Sequence, residues 1–226
     1  MRYDFTKPFA KPEHLLDIEA GTGFKQPNSN FSADVYWMEF TDELLGSGEV
    51  DLFGEPITWN ADRTRHIGFE FDGSVNLLSN LTLSGNVTCS KNTIIHHRIF
   101  TESTDSVGAT TYHPKTLDNN PIGGFPNVLC NLRFTWHNDN LTASLISKYV
   151  GSFYTDNFKD ENNKNDNYSV FNLEVLYHIP SFAEINITMR GEVRNIMNRL
   201  YFMTGEGNAF FPAAERNYLI GVTATL

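Results

Sequence analysis

The stretch that decides the fold is residues 185–226, INITMRGEVRNIMNRLYFMTGEGNAFFPAAERNYLIGVTATL. Apolar and polar side chains alternate from Ile185 to Arg194, and they alternate again from Asn217 to the end. A strand places successive side chains on opposite faces, so both segments are predicted to be strands with one apolar face. The last residue, Leu226, is apolar and lies within the second pattern. This pattern favours a strand that ends at a membrane interface over the polar terminus of a soluble domain.

Two strings in this stretch resemble a known family. VRNIMNRLYF (193–202) is similar to the penultimate-strand signature of TonB-dependent outer-membrane receptors, and PAAERNYLIGV (212–222) is similar to their closing-strand signature. The family usually ends on Phe, where this chain has Leu226. Further strings resemble the family in the same order along the chain: 9–23, 31–44, 65–71, 123–126 and 150–156. The resemblance covers nearly the whole chain, and the order and spacing of the strings carry it.

Composition sets limits on the possible partners and on how the chain crosses a membrane. The formal net charge is -10, which argues against nucleic acid as a partner because an acidic surface repels phosphate. There is no apolar run of about 18 residues, so the sequence predicts no transmembrane helix. Transmembrane strands remain possible, since only alternate residues of such strands need be apolar.

Alternation along the rest of the chain predicts about nine strands of about 9–13 residues, long enough to cross a bilayer. In one of them Ile67, Phe69 and Phe71 share the apolar face. Short turns are predicted near residues 27, 78, 138 and 180. Longer connections are predicted at 41–63, 91–126, 151–166 and 196–213. Outer-membrane barrels have this asymmetry, with the long loops outside the cell. We therefore expect an antiparallel meander in which each strand pairs with the next, without a long helix.

The resemblance implies an all-β fold, an antiparallel up-and-down transmembrane β-barrel segment. About nine strands are expected here, out of about 22 that surround a plug in large transporters. Residues 1–226 are expected to be the C-terminal portion of the receptor barrel, without the plug domain and the earlier strands. The first residues do not form a secretion signal, which an outer-membrane protein requires. Either the membrane interpretation is wrong, or the true N-terminus lies upstream; the resemblance favours the second alternative.

The resemblance also implies a function. The family imports scarce ligands such as iron–siderophores, haem or cobalamin by energised uptake, from a multi-pass barrel in the outer membrane. The implied partners are membrane lipid, a small-molecule or metal-chelate ligand, and a TonB-type energising protein that acts through the plug region. Two alternatives stay open: a passive porin or structural outer-membrane β-protein, and a soluble secreted β-sandwich.

The sequence predicts neither an enzyme nor a cofactor, because no nucleophile–base motif or metal-ligand spacing occurs. Asp156, Asp160, Glu161 and Asp166 lack the spacing of a calcium loop, and a solvated loop is the favoured interpretation. Loop residues with aromatic, imidazole or cationic side chains suit anionic or metal-bearing ligands. The predicted ligand contacts are His96, His97, Arg98, Tyr112, His113 and Tyr154.

Charged residues on the predicted polar faces are expected to line the barrel interior and to pair with each other or with the plug. They are Glu70, Arg133, Arg190, Glu192 and Arg194.

Overall fold

The computed structural model describes residues 10–50, 52–53, 56–104, 108–182 and 185–225, and it is built from β-strands. Nine strands form one large sheet: β1 (His14–Gln26), β2 (Ser29–Val50), β3 (Pro56–Leu78), β4 (Leu81–His96), β7 (Val128–Asn138), β8 (Leu141–Val150), β11 (Tyr168–Phe182), β12 (Ile185–Arg194) and β15 (Asn217–Thr225). Three short hairpins complete the fold: β5 (Arg98–Thr104) with β6 (Thr110–Thr116), β9 (Phe153–Tyr154) with β10 (Lys164–Asn165), and β13 (Phe202–Glu206) with β14 (Ala209–Pro212). A single 3₁₀ turn, Glu161–Asn163, precedes β10.

The large sheet is a meander. Its strand order is β1-β2-β3-β4-β7-β8-β11-β12-β15, and every neighbouring pair is antiparallel. Each small hairpin is inserted between two strands that are neighbours in the sheet. The predicted meander of nine strands is therefore confirmed, and β1 and β15 are its two edges.

The two ends of the sheet differ, as predicted. At one end, here called the turn end, residues 27–28, 79–80 and 139–140 make tight connections. The three small hairpins lie at the opposite end, the loop end. In the described part of the chain, no helix is long and apolar enough to span a membrane.

Three predicted boundaries were wrong. Residues 41–63 are largely strand, because β2 and β3 stay paired from Thr41–Arg63 up to Gly46–Thr58. Residues 91–126 are irregular only at 117–126, because β4 continues to His96 and the β5–β6 hairpin follows. Pro180 lies inside β11, where the pairing with β12 shifts between Ile179 and Phe182. A register shift of this kind tolerates proline, which cannot donate to the ladder.

One face of the sheet, the apolar face, exposes large hydrophobic side chains. Ile18 pairs with Trp37, which pairs with Ile67, and these side chains are 39–54% exposed. The same face continues across the sheet to β15, where Ile220 is 82% exposed. No described element covers this face. The opposite, polar face carries the charged residues.

Hydrogen-bonded rows cross the sheet obliquely. One row starts at the turn end of β1 and reaches the loop end of β15. Its members are Gln26, Ser29, Val75, Leu83, Phe134, Leu145, Leu173, Val193 and Tyr218. Such a stagger is what strands of a barrel require, because closure demands that strands tilt against the barrel axis.

The buried core lies at the loop end. One cluster contains Leu45, Ala61, Ile94, Leu117 and Ile122, with Trp59 and Ile99 packed against it. A second cluster contains Val150, Phe153, Tyr168 and Val170, with Leu129 and Tyr201 against it. By alternation with Phe171, Tyr168 and Val170 belong to the polar face. The segments that follow the strands therefore fold over that face at the loop end.

Asp42 reverses the alternation of β2. Glu39 bonds Arg65, which shares the apolar face with Ile67. Glu43 has the same parity as Glu39 but contacts His66, on the polar face. Between them Asp42 has a φ of 57°, the left-handed conformation, which turns the chain over.

Candidate functional site

Charged residues of β7, β11 and β12 form a chain of ion pairs on the polar face. Arg133 Nη1 lies 3.2 Å from Glu174 Oε1, and Glu174 Oε2 lies 2.6 Å from Arg190 Nη2. Arg190 also bonds Glu192, whose other oxygen lies 2.7 Å from Arg194. Positive and negative groups alternate, so each carboxylate is held between two guanidinium groups. The predicted pairing of Arg133, Arg190, Glu192 and Arg194 is confirmed.

Glu174 completes this chain and was missed in the sequence. Its place on the polar face could have been predicted, because it lies between Leu173 and Val175 in an alternating strand. Glu70, also predicted here, lies on the polar face opposite Asp34 of β2. The polar face of this part of the sheet thus carries paired positive and negative charges, although the net charge of the chain is -10.

Above the ion pairs, His66 joins β2, β3 and β4. Its Nε2 lies 3.1 Å from Glu43 Oε1, and its Nδ1 lies 2.8 Å from Asn92 Oδ1. Both ring nitrogens face acceptor oxygens, so an imidazolium that donates to both satisfies these contacts. Phe40 and Phe125 stand edge-on to the ring. The cluster fixes the segment around Phe125 against the upper sheet.

His97, predicted to contact ligand, is buried between β3 and the β5–β6 hairpin. Its ring centroid lies 3.9 Å from that of Trp59, and its Nδ1 lies 3.1 Å from Asp62 Oδ2. Its Nε2 is buried and has no hydrogen-bond partner. Burial lowers the pKa of His97, although Asp62 opposes this effect. The Asp62 amide also approaches Nδ1, at 3.3 Å, so Asp62 contacts this nitrogen through both its backbone N–H and its carboxylate.

His96 is the exposed neighbour of this buried histidine. Its Nδ1 lies 3.1 Å from Asp118 Oδ1, and the bond lowers the pKa of Asp118. Arg98 follows at the start of β5, opposite Thr116. His96, His97 and Arg98 therefore share the base of the hairpin.

The other predicted contacts lie further away. Tyr112 and His113 are in β6, opposite Glu102 and Thr101. Tyr154 lies in β9, where its hydroxyl is 2.5 Å from Glu161 Oε1 and Lys164 stacks on its ring. The structure thus brings together three of the six residues and distributes the others over two loops.

Asn157 ties three loop-end segments together. Its Oδ1 accepts from the Gly123 amide at 2.8 Å, and its Nδ2 donates to the Gly46 carbonyl at 2.7 Å. Its own carbonyl accepts from Asn120 at 2.9 Å. The side chain is almost fully buried. A cavity of about 280 Å³ lies beside it, lined by Leu45, Gly123, Thr155 and Glu206 among others.

The carboxylates of the loop at residues 156–166 hydrogen-bond to amides of the same loop. Asp156 Oδ1 accepts from the Phe158 amide at 2.8 Å, and Asp160 Oδ1 accepts from the Asn162 amide at 2.9 Å. Among the described residues, no group of three or more histidine, cysteine or acidic side chains is arranged to hold a metal ion.

A comparison with known families decides the identity of this sheet. The model of the family described as "TonB dependent receptor-like, beta-barrel" matches residues 3–196. The chain belongs to this family. Such TonB-dependent receptors are outer-membrane proteins, and the structural neighbours are receptors and transporters. No curated protein matches the chain.

Solved structures of TonB-dependent receptors share the fold. The ferric-catecholate import receptor Fiu from E. coli is 16% identical, with a TM-score of 0.67 over 94% of this chain and 28% of its own. The copper transporter OprC is 16% identical, with a TM-score of 0.71 over 98% and 32%. The ferric preacinetobactin receptor BauA from Acinetobacter baumannii is 15% identical, with a TM-score of 0.68 over 92% and 29%. This chain therefore spans about a third of the length of these receptors.

Proposed function

We propose that this chain forms part of the wall of an outer-membrane receptor that takes up a scarce small-molecule ligand, such as an iron–siderophore, haem or cobalamin. One observation carries the proposal: a single meander exposes apolar side chains on one face and ion pairs on the other. A barrel wall with lipid outside and water inside needs these two faces. Family membership supports uptake over other membrane functions.

The proposal includes the rest of the receptor. Residues 1–226 would be the C-terminal portion of the barrel domain, and the plug and earlier strands would lie in the remaining part. A TonB-type energising protein would act through that plug. The match to about a third of each solved receptor supports this division.

Ligand would meet the loop end. We keep His96, His97, Arg98, Tyr112, His113 and Tyr154 as the proposed contacts. Five of them have side chains suited to direct contact, whereas buried His97 would act by fixing the base of the hairpin.

Uptake by cells tests the function. Cells producing the receptor that contains this chain would be given radiolabelled ferric siderophores, haem and cobalamin, with and without an uncoupler. We expect saturable uptake of at least one ligand, lost when the membrane is de-energised. If all three ligands entered without saturation, and the uncoupler did not change their uptake, the protein would be a passive pore and the proposal would be contradicted.

Alanine substitution tests the contacts. Replacing His96, Arg98, Tyr112, His113 and Tyr154 together is expected to lower uptake by about tenfold or more, since each lost charged or polar contact costs affinity. Lys25→Ala at the turn end is the control. Unchanged uptake at equal surface levels would show that these residues do not bind ligand.

A further inference from the structure

A second cavity lies at the loop end, between the start of β11 and the β13–β14 hairpin. Its volume is about 450 Å³, within the range of sites for small ligands. Residues 164–168 form one wall, and residues 199–202 with Phe210, Pro212 and Ala213 form the other. None of the six proposed contacts lines this cavity.

Aromatic rings form much of the lining. The rings of Tyr168 and Tyr201 lie 4.4 Å apart at 31°, and those of Phe202 and Phe210 lie 5.1 Å apart at 42°. Tyr168 belongs to the buried cluster beneath the cavity. Its ring is therefore fixed by packing, and the cavity has a preformed aromatic wall that suits a flat ring.

The cavity also presents unused hydrogen-bond donors. Arg199 Nη2 donates to the Asn167 carbonyl at 3.1 Å, which holds the guanidinium at the wall. Among the described residues, no acceptor contacts its remaining side-chain donors or the hydroxyls of Tyr168 and Tyr201. A tyrosine hydroxyl is protonated at neutral pH and is therefore able to donate.

Arg199 is the group of the lining that favours an anion. Lys164 and Arg199 are positive, and Asp166 is the negative group. Lys164 is engaged with Glu161 at 3.1 Å, and it lies over the Tyr154 ring. Asp166 is exposed and is not within ion-pair distance of Arg199. Arg199 is thus a cation whose charge no described carboxylate neutralises by direct contact.

We propose that this cavity binds a planar aromatic acid, with its ring against the aromatic wall and its carboxylate at Arg199 and the tyrosine hydroxyls. A guanidinium matches a carboxylate in charge and in planar geometry. The inference rests on the proposed function, since it assigns one ligand position at the receptor's loop end.

Three probes that share one ring and differ in charge test the ligand class: benzoate, benzyl alcohol and benzamidine. Binding of each to the full chain in detergent micelles would be measured by titration calorimetry. We expect the order benzoate, then benzyl alcohol, then benzamidinium, with benzoate about tenfold or more tighter than the alcohol. Cyclohexanecarboxylate, which keeps the charge without the flat ring, is expected to bind more weakly than benzoate.

Substitution of the cation locates the binding site. Arg199→Gln is expected to weaken benzoate binding by about tenfold, whereas Arg199→Lys keeps the charge and loses only part of the affinity. Arg216→Gln is the matched control, because Arg216 is exposed and does not line the cavity. Circular dichroism checks that each variant is folded.

Several results would overturn the inference: no saturable benzoate binding, tighter binding of benzamidinium, or equal effects of Arg199→Gln and Arg216→Gln. This test is separate from uptake. A receptor that imports ligand but shows no benzoate site refutes the cavity alone. Benzoate binding without any energised uptake leaves the cavity assignment intact and refutes the proposed function.

Discussion

Gly85 and Gly191 both lie in strands on the apolar face, but their surroundings differ. A Cβ at Gly85 would lie 2.3 Å from the Asn131 carbonyl oxygen, which belongs to the neighbouring strand. A Cβ at Gly191 meets nothing within 4 Å. Gly85→Ala must therefore displace backbone, and we expect it to lower the free energy of unfolding by about 1–3 kcal/mol. Denaturant titration of the chain in detergent micelles, followed by tryptophan fluorescence, measures this change.

Gly191→Ala is the matched control for that substitution. It removes a flexible residue from a strand without a clash, so its effect is expected to lie within about 1 kcal/mol of zero or to be stabilising. If the two variants had equal stability, close approach at Gly85 would not be the reason for its glycine.

His97 makes the loop end sensitive to pH. Burial lowers its folded pKa, whereas the unfolded chain keeps a value of about 6.5. As pH falls, the unfolded state therefore takes up the proton first. Stability of the loop end is expected to be complete above about pH 6.5 and to decrease as pH falls towards the folded pKa.

Hydrogen exchange at Leu117 measures the local stability of the loop end around His97, because the Leu117 amide donates to the His97 carbonyl at 2.9 Å. Its protection, corrected for intrinsic exchange, is expected to decrease between pH 7.5 and 5.5. His97→Gln should remove most of that change, and His14→Gln should keep it. Equal pH dependence in all three proteins would contradict the role of His97.

Individual residues were predictable where alternation places them. Arg133, Arg190, Glu192 and Arg194 were expected to pair because each occupies a polar position of a regular strand. The environment of His97 was not predictable. Its burial depends on Trp59, which comes from the distant strand β3, and nothing local in the sequence signals that contact.

Among the elements, the loop-end segments depend on Asn157. Its buried side chain accepts from the Gly123 amide and donates to the Gly46 carbonyl, which also accepts from Trp59 Nε1 at 3.0 Å. Asn157→Ala therefore leaves the Gly123 amide without its partner, and we expect a cost of about 1–3 kcal/mol. Faster hydrogen exchange at Gly123, with little change in β7 and β8, would show that the loss is confined to the loop end.

Asn162→Ala provides the comparison for Asn157. The Asn162 side chain is exposed and bonds Asp160 within its own turn. Asn162→Ala should leave hydrogen exchange at Gly123 unchanged. Similar effects of both variants would mean that Asn157 does not join the segments.

The elements themselves were predicted better in the wall than at the loop end. The short turns and apolar faces follow from period-two patterns, and these patterns persist along the wall, where the two faces of the sheet differ in polarity. Residues 41–63 and 91–126 resemble loops because they contain many glycine, acidic and polar residues. Residues 43–46 nevertheless pair with 58–61, and 98–104 pair with 110–116. The buried side chains of these ranges, such as Leu45, Ala61 and Ile94, pack through tertiary contacts that no local alternation signals.

At the scale of the whole molecule, the apolar face predicts dependence on detergent. Side chains such as Trp37 and Ile220 are exposed, and β1 and β15 are unpaired edges among the described residues. Exposed apolar patches and open edges both recruit other chains in water. We expect the chain to aggregate without detergent. A soluble, monodisperse monomer in sedimentation experiments would contradict the membrane assignment.

The two ends of the sheet should lie on opposite sides of the membrane. Thr104 is in the β5–β6 hairpin at the loop end, and Asn138 adjoins a tight turn. Cysteine at position 104 is expected to react with a membrane-impermeant maleimide on intact cells, whereas cysteine at 138 should react only after lysis. Equal labelling of both before lysis would contradict this orientation.

Asp42 has a consequence for which substitutions β2 accepts. Below it, odd-numbered side chains such as Trp37 belong to the exposed apolar face. Its left-handed backbone resets the even–odd phase, so that Glu43 and Leu45 are buried at the loop end instead. A residue type that suits an odd-numbered position below residue 42 therefore does not suit an odd-numbered position above it.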